Sequence, residues 1–253
     1  LLLAAWKNEV EVLMVNEKES DTFIEELYKQ NKPDVVFSSI EDSRIPNSIH
    51  LNNLQLGQIN QAVSANNDKK VALSICTSGS TGKPKVVQLS LFNLLSFFEA
   101  WEKKLPWREQ EHFGIIAHPA FDIGVAELIF PLLKGWKRTI ISKEILSNTA
   151  LMRSTFSDIT AFHMVPALLE SWLNEMPPDK QARLIMTGGD KVPARLHELI
   201  DNKFSCARLF QFYGPSECSV LASGFENKGQ FNPLLLPLGT KFEHAMLHVL
   251  SPE

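Results

Sequence analysis

Residues 71–88, VALSICTSGSTGKPKVVQ, decide how the rest of the chain is read. The apolar run Val71–Cys76 predicts a buried strand bounded by turn formers. It empties into Thr77, Ser78, Gly79, Ser80, Thr81, Gly82, Lys83, Pro84 and Lys85, where two glycines, four hydroxyls and two lysines fall within nine residues. Glycine lets backbone N–H groups approach and face an anion, hydroxyls add donors, and lysines add positive charge. That donor set suits a polyphosphate. A Walker A loop needs a longer spacing between its glycines and a hydroxyl after Gly-Lys. Here only Ser80 and Thr81 separate the glycines, and Pro84 follows Lys83. Proline has no N–H to donate and bars the helix that a Walker A loop would begin. Ser/Thr/Gly clusters usually mark nothing more than a surface loop. Directly after a buried strand, however, α/β proteins place their ligand loops.

Outward from this stretch the pattern alternates. Upstream, Leu1–Trp6 reads as the end of a helix, Glu9–Val15 as a strand, and Thr22 with Glu25 as a capping box for a helix closed by Pro33. Asp34–Ser38 is a short strand, and a short helix is expected near Leu56–Val63. Downstream, Ser90 is placed to cap a helix with the stripe Leu91, Leu94, Leu95 and Phe98. Strands follow at His112–Ala117, Arg138–Ser142, Ile159–Met164, Arg183–Met186 and Arg208–Phe212, with a last one at Met246–Leu250. Helices between them are expected at Ile123–Leu133, Lys143–Phe156, after Pro166, and at Pro193–Asn202. This predicts an α/β protein with mostly parallel sheets flanked by helices.

Composition narrows the function classes. A hydrophobic fraction of 44% with 21% charged residues over 253 residues fits a soluble globular protein with a substantial core. A formal charge of −4 and scattered lysines and arginines argue against a nucleic-acid partner. No apolar run is long enough to span a membrane. The three cysteines, Cys76, Cys206 and Cys218, stand at spacings that suit neither a metal nor a disulfide set, which points to reduced thiols and a cytoplasmic setting.

Ligands of a parallel sheet sit at the carboxyl ends of its strands. Besides the phosphate loop, three expected strand ends carry distinctive residues: His118-Pro-Ala-Phe-Asp122, Thr187-Gly-Gly-Asp190 and Gln211-Phe-Tyr-Gly-Pro-Ser-Glu217. Thr77–Lys85 resembles the signature loop of the adenylate-forming (ANL) superfamily, although Val86 stands where that motif ends in glycine. Gln211–Glu217 resembles the Asn-x-Tyr-Gly-Pro-Thr-Glu motif of nonribosomal peptide synthetase adenylation domains, with Gln211 for Asn and Ser216 for Thr. Gly188-Gly189-Asp190 resembles the family's Gly-Gly-Glu turn, and Pro237-Leu-Gly239 its Pro-Ile-Gly turn. The segment FDIGVAEL from Phe121 resembles the motif that begins one wall of the substrate pocket. The chain is thereby similar, over about Leu1 to Leu250, to the N-terminal core of such an adenylation domain.

The resemblance implies ATP-dependent activation of a carboxylic acid as an acyl-adenylate, then loading onto the phosphopantetheine thiol of a carrier protein. It implies ATP and Mg²⁺ at the site. Thr77, Ser78, Gly79, Ser80, Thr81 and Gly82 would hold phosphates with Lys83 and Lys85. Gly188, Gly189, Asp190, Phe212, Tyr213 and Gly214 would surround the nucleotide base, Ser216 would bond the α-phosphate, and Glu217 would ligate Mg²⁺. Asp122 would pair with the α-ammonium group of an amino acid, because a partly buried carboxylate needs a counter-charge. Asp is equally a common helix cap. Asp122, Ile123, Ala126, His163, Met186, Gly188, Phe212, Val220 and Leu221 would line the acid pocket. His163 would there bond a polar substrate side chain or serve only the fold.

The implied organisation is a partial large domain, with residues 1–70 and 71–236 as α/β portions and 237–253 opening a β-subdomain. The family's small C-terminal domain, with its catalytic lysine, is expected to be missing, so these 253 residues alone should adenylate poorly. Two alternatives stay open: a ligase for aryl or fatty acids that uses coenzyme A, and a non-catalytic homologue that binds nucleotide or a partner.

Overall fold

The computed structural model describes residues 1–39, 45, 48–51, 71–78, 84–178, 182–204, 207–227 and 237–250. The expected helix near Leu56–Val63, the loop residues Gly79, Ser80, Thr81, Gly82 and Lys83, and Cys206 lie outside them. Two units divide the chain, Leu1–Leu91 and Phe92–Glu253.

In the first unit, helix α1 (Leu2–Lys7) precedes strand β1 (Val12–Met14) and helix α2 (Asp21–Asn31). Ser20, not Thr22, caps α2: its backbone is extended and its hydroxyl accepts the Phe23 N–H at 3.3 Å. Thr22 already lies inside the first turn, where a side chain no longer serves as N-cap. Strands β2 (Phe37–Ser38) and β3 (Ile49–His50) pair in parallel. Strand β4 (Val71–Ser78) runs parallel to β1 on one side and antiparallel to β5 (Pro84–Ser90) on the other. The stretch read as strand then loop is therefore a hairpin, with Thr77 opposite Lys85 and Ser78 opposite Pro84. Proline is tolerated as the first residue of a strand, and Val86 and Val87 favour the extended backbone that follows. Ala72, Leu73 and Ile75 are buried, and the Trp6 indole N–H donates to the Ala72 carbonyl at 2.9 Å.

In the second unit, helix α3 (Leu91–Lys104) leads into β6 (His112–Ile115), α4 (Asp122–Leu133), β7 (Lys137–Ile140), α5 (Lys143–Ser147), α6 (Thr149–Phe156) and β8 (Ala161–Met164). Helix α7 (Pro166–Glu175), β9 (Leu184–Gly188), α8 (Ala194–Lys203), β10 (Arg208–Tyr213), β11 (Ser223–Asn227) and β12 (Thr240–Lys241) complete it. The sheet order is β12-β11-β10-β9-β8-β6-β7. Neighbours from β10 to β7 are parallel, whereas β11 and β12 are antiparallel.

Both faces of this sheet are covered, as its continuous apolar strands require. Phe162, Met164, Ile185 and Leu209 pack with Phe156, Trp172, Leu196 and Phe204 from α6, α7 and α8. On the other face Phe113 meets Trp101 of α3, whose ring lies 4.9 Å from that of Phe130 on α4.

Four expectations change. The buried stripe of α3 is Leu94, Phe97, Phe98 and Trp101, while Leu91 and Leu95 stay 36% and 51% exposed. Both stripes have helical spacing; the one carrying three aromatic rings removes more apolar area from water and wins. The helix expected over Lys143–Phe156 is two, because the Asn148 side chain accepts the N–H groups of Ala150 and Leu151 and starts α6 afresh. Strand β11 was not expected, since SGFEN has no apolar alternation; it forms by pairing with β10. Met246–Leu250 makes no strand, having no ladder partner among the described residues, and Val249 is fully exposed.

Candidate functional site

The carboxyl ends of β6, β8, β9 and β10 lie side by side in the second unit. Beyond β6 the chain turns, with the Phe121 N–H on the His118 carbonyl at 3.0 Å. A Cβ on Gly124 would stand 2.1 Å from that carbonyl oxygen, so only glycine lets the first turn of α4 sit so closely on the bend. This contact sets Asp122 as the first residue of α4, where the helix dipole favours a carboxylate. Asp122 is not the cap: that position is Phe121, with no side-chain bond. Its Oδ1 accepts the Ile123 N–H at 2.6 Å, while Oδ2 is buried with no hydrogen-bond partner among the described residues. Burial pushes the Asp122 carboxyl above its ordinary 3.8, opposed by the Ser216 hydroxyl, the Ile123 N–H and His163. Loss of hydration therefore outweighs the partners it has.

Beneath it lies Glu127, fully buried on α4. Glu127 Oε2 accepts the N–H groups of Ile116 at 2.6 Å and Ala117 at 2.9 Å, and Oε1 lies 3.2 Å from His163 Nδ1. One carboxylate thus ties α4, the end of β6 and β8 together. His163 is level with Met186, and Met186 with Phe210, along adjacent strands. Ala126, His163 and Met186 are all buried.

At the next two strand ends the backbone itself makes the surface. A Cβ on Gly188 would lie 2.6 Å from the Phe212 carbonyl oxygen, and Gly189 has φ +84°, so the turn needs both glycines. Asp190 is exposed, its Oδ1 accepting the Lys191 N–H at 2.6 Å. Tyr213 is 46% exposed, whereas the Phe212 ring packs inward 5.8 Å from that of Phe242. After Gly214 and Pro215, Ser216–Cys218 form one 3₁₀ turn that leaves Ser216 half-buried beside Asp122 and Glu217 exposed. Ser219 and Val220 then take φ +61° and +75°, and the Ala222 N–H returns to the Tyr213 carbonyl at 2.8 Å. Val220 and Leu221 are buried.

The structure thus brings Asp122, His163 and Ser216 together, with Ala126 and Met186 beside them, and Ile123 half-buried next to Asp122. Thr77 and Lys85 belong to the other unit, where they face each other across the hairpin and Lys85 is exposed; the side chain of Ser78 is not described. No group of three or more His, Cys, Asp or Glu side chains among the described residues is arranged to hold a metal. Mg²⁺ binds through one or two carboxylates, waters and substrate phosphates rather than an all-protein cage, and the exposed Glu217 offers one such carboxylate. No helix among the described residues is long and apolar enough to cross a membrane. Cys76 and Cys218 are free thiols, and burial together with Glu19 pushes Cys76 up to about 11, which leaves it unreactive.

Sequence reasoning passed over Glu127. Its signal was present: apart from Asp122, it is the one charged residue in the otherwise apolar DIGVAELIFPLL. The left-handed pair Ser219–Val220 had no signal, being neither glycine nor asparagine.

A mostly parallel sheet covered on both faces, with glycine turns, a buried carboxylate and an exposed glutamate at its strand tips, is the architecture in which α/β proteins place their ligands. The chain belongs to the family of AMP-binding enzymes, whose profile matches residues 4–253, and so to the adenylate-forming ANL superfamily. It is 29% identical over 196 residues to a dimodular nonribosomal peptide synthase of Bacillus subtilis (strain 168), covering 76% of this chain and 8% of that protein. Its fold matches a four-domain nonribosomal peptide synthetase bound to AMP and glycine, with TM-score 0.77 and 19% identity over 95% of this chain and 18% of the other. It also matches O-succinylbenzoate coenzyme A synthetase of Bacillus subtilis in complex with ATP and magnesium, with TM-score 0.74 and 22% identity over 92% and 50% of the two chains.

Proposed function

We propose that this chain is the nucleotide- and acid-binding core of an adenylation domain that activates an amino acid and passes it to a carrier-protein thiol. The observation that carries this reading is Asp122. One carboxylate oxygen is buried with no hydrogen-bond partner among the described residues, at a helix start, near Ser216 and His163. A buried carboxylate left so is a site for a cation, and an α-ammonium group supplies charge and N–H donors together. Ser216, beside it, would sit where the acid meets the α-phosphate. The acid's carboxylate would attack the α-phosphorus of ATP, forming the acyl–phosphate bond and releasing pyrophosphate.

In this reading the loop 77–85, with Lys83 and Lys85, holds the phosphates, and Gly188, Gly189 and Tyr213 meet the adenine. Glu217 would ligate the Mg²⁺, which offsets charge on the departing pyrophosphate. Ala126, His163, Met186, Val220 and Leu221 would enclose the substrate side chain. The expected setting is cytoplasmic, with a carrier protein as partner. The wider domain organisation expected above belongs to the same proposal.

The test is ATP–pyrophosphate exchange by the full-length protein over amino, aryl and fatty acids, repeated with Asp122→Asn. Exchange with an amino acid should fall by about two orders of magnitude or more in the variant, the cost of removing one partner of a buried charge pair. Activity on aryl or fatty acids that survives the substitution would favour the coenzyme A ligase reading, for which the fold match to the synthetase speaks.

A further inference from the structure

The segment after β12 carries a histidine that the proposed chemistry does not use. His244 sits in an aromatic box, its ring 5.7 Å from Phe97 and 5.8 Å from Phe242, both near edge-on. Both ring nitrogens are buried, and neither closes a hydrogen bond of full geometry with a described residue. The ring nevertheless faces the backbone carbonyls of Cys218, Leu221 and Ser219. A buried imidazole with two idle nitrogens is costly unless it has somewhere to donate, and these three carbonyls are the acceptors it faces.

They belong to the most strained backbone of the second unit. The Leu221 N–H bonds the Ser219 carbonyl at 3.0 Å across Val220, whose φ is +75°. This is the rare γ-turn of positive φ, here centred on a β-branched side chain, which disfavours it further. Such backbone persists only where its surroundings fix it. One fixing bond is the Ala222 N–H on the Tyr213 carbonyl, and another is the Phe242 N–H on the Ala222 carbonyl, each 2.8 Å. The second bond lays the His244 segment directly along the turn.

We infer that His244 is the positioning residue of the turn 216–221, its ring N–H set against the carbonyls of Cys218, Ser219 and Leu221 to hold Glu217, Val220 and Leu221 in place. The part concerning substrate rests on the proposed adenylation; the part concerning the turn does not. Phe97 and Phe242 keep the ring from swinging away, so its N–H stays turned toward these carbonyls.

The experiment compares His244→Phe, which keeps the aromatic volume and removes both nitrogens, with His244→Asn, which restores a donor near the Nδ1 position. Backbone amide exchange should accelerate at least tenfold over residues 218–222 in H244F, remain unchanged in β9, and lie nearer the original rate in H244N. In the full-length protein, H244F should raise the KM for acid with a smaller change in kcat. Unchanged exchange at 218–222, or an equal rise in β9, overturns the inference. If no acid supports pyrophosphate exchange, the proposed function fails while the amide result still decides the role of His244. Should H244F not fold, the imidazole N–H of the unmutated chain decides: exchange with water slower than in free imidazole is expected, and equal rates overturn the assignment.

Discussion

The two ends of the second unit's parallel sheet treat buried carboxylates in opposite ways. At the end where β6, β8 and β9 begin, the Glu111 side chain is buried and almost every lone pair is used. It pairs with Arg183, accepts the Arg108 N–H at 2.9 Å and accepts the Thr160 hydroxyl at 2.5 Å. Thr160 in turn accepts the His112 N–H at 3.0 Å. At the opposite end, Asp122 keeps an oxygen with no hydrogen-bond partner among the described residues, and the nearby backbone holds two left-handed residues. The first arrangement is what a carboxylate looks like when the fold needs it. The second is what the proposed function expects where a ligand completes the site.

That contrast breaks most visibly at Glu111. Glu111→Ala leaves the half-buried Arg183 guanidinium without its carboxylate, and removing one member of a fully buried pair costs about 3–5 kcal/mol, an upper bound here. Urea unfolding monitored by tryptophan fluorescence measures it, and a loss below about 1 kcal/mol would place the pair outside the folding core. Glu127→Ala comes next, because it strands the N–H groups of Ile116 and Ala117 and the Nδ1 of His163. A stranded buried donor costs about 1–3 kcal/mol, so the loss should fall in or above that range. If the proposed function holds, it should also damage activity, since Glu127 contacts His163, one of the residues proposed to enclose the substrate.

The sheet and the positions of its strand tips were legible in the sequence, because apolar runs and turn residues encode these locally. The sequence did not show that Val71–Ser90 is a hairpin, since Pro84, which weakens a strand reading, stands at the start of β5. Nor did it separate the two possible stripes of α3, which share one spacing and differ only in what they meet. Asp122 was legible as a candidate through its motif neighbours, but its surroundings were not. They depend on Ser216 in the 3₁₀ turn and His163 on β8, brought beside it from elsewhere in the chain. The role of Glu127 was half legible, as a charge in an apolar helix. His244 was not legible at all: its meaning lies in carbonyls more than twenty residues away along the chain.

At Asp122 the contrast can be sharpened, because the expected stability change reverses sign. Burial raises its folded pKa above 3.8, so the native state binds the proton more tightly than the unfolded chain does. The destabilisation is therefore absent below pH 3.8, grows as pH rises through the folded pKa, and is complete above it. Asp122→Asn, which cannot ionise, should equal the original protein in acid and exceed it at neutral pH. A variant less stable at pH 7 than the original would show that the carboxylate serves the fold after all, as Glu111 does.

The smallest effect belongs to the backbone of the same end. Ser219 holds φ +61°, a conformation that costs an L-residue roughly 1–2 kcal/mol and glycine nothing. Glycine loses about 0.5–1 kcal/mol more conformational entropy on folding, which offsets part of that relief. Ser219→Gly should therefore stabilise by less than about 1 kcal/mol, read as a small rise in the urea midpoint at constant slope. Because Val220 and Leu221 hang from this turn, the same variant should loosen the pocket and raise the KM for the acid. A gain in stability with a loss in binding would mark strain kept for function, whereas a loss of both would mean that the serine side chain supports the turn directly.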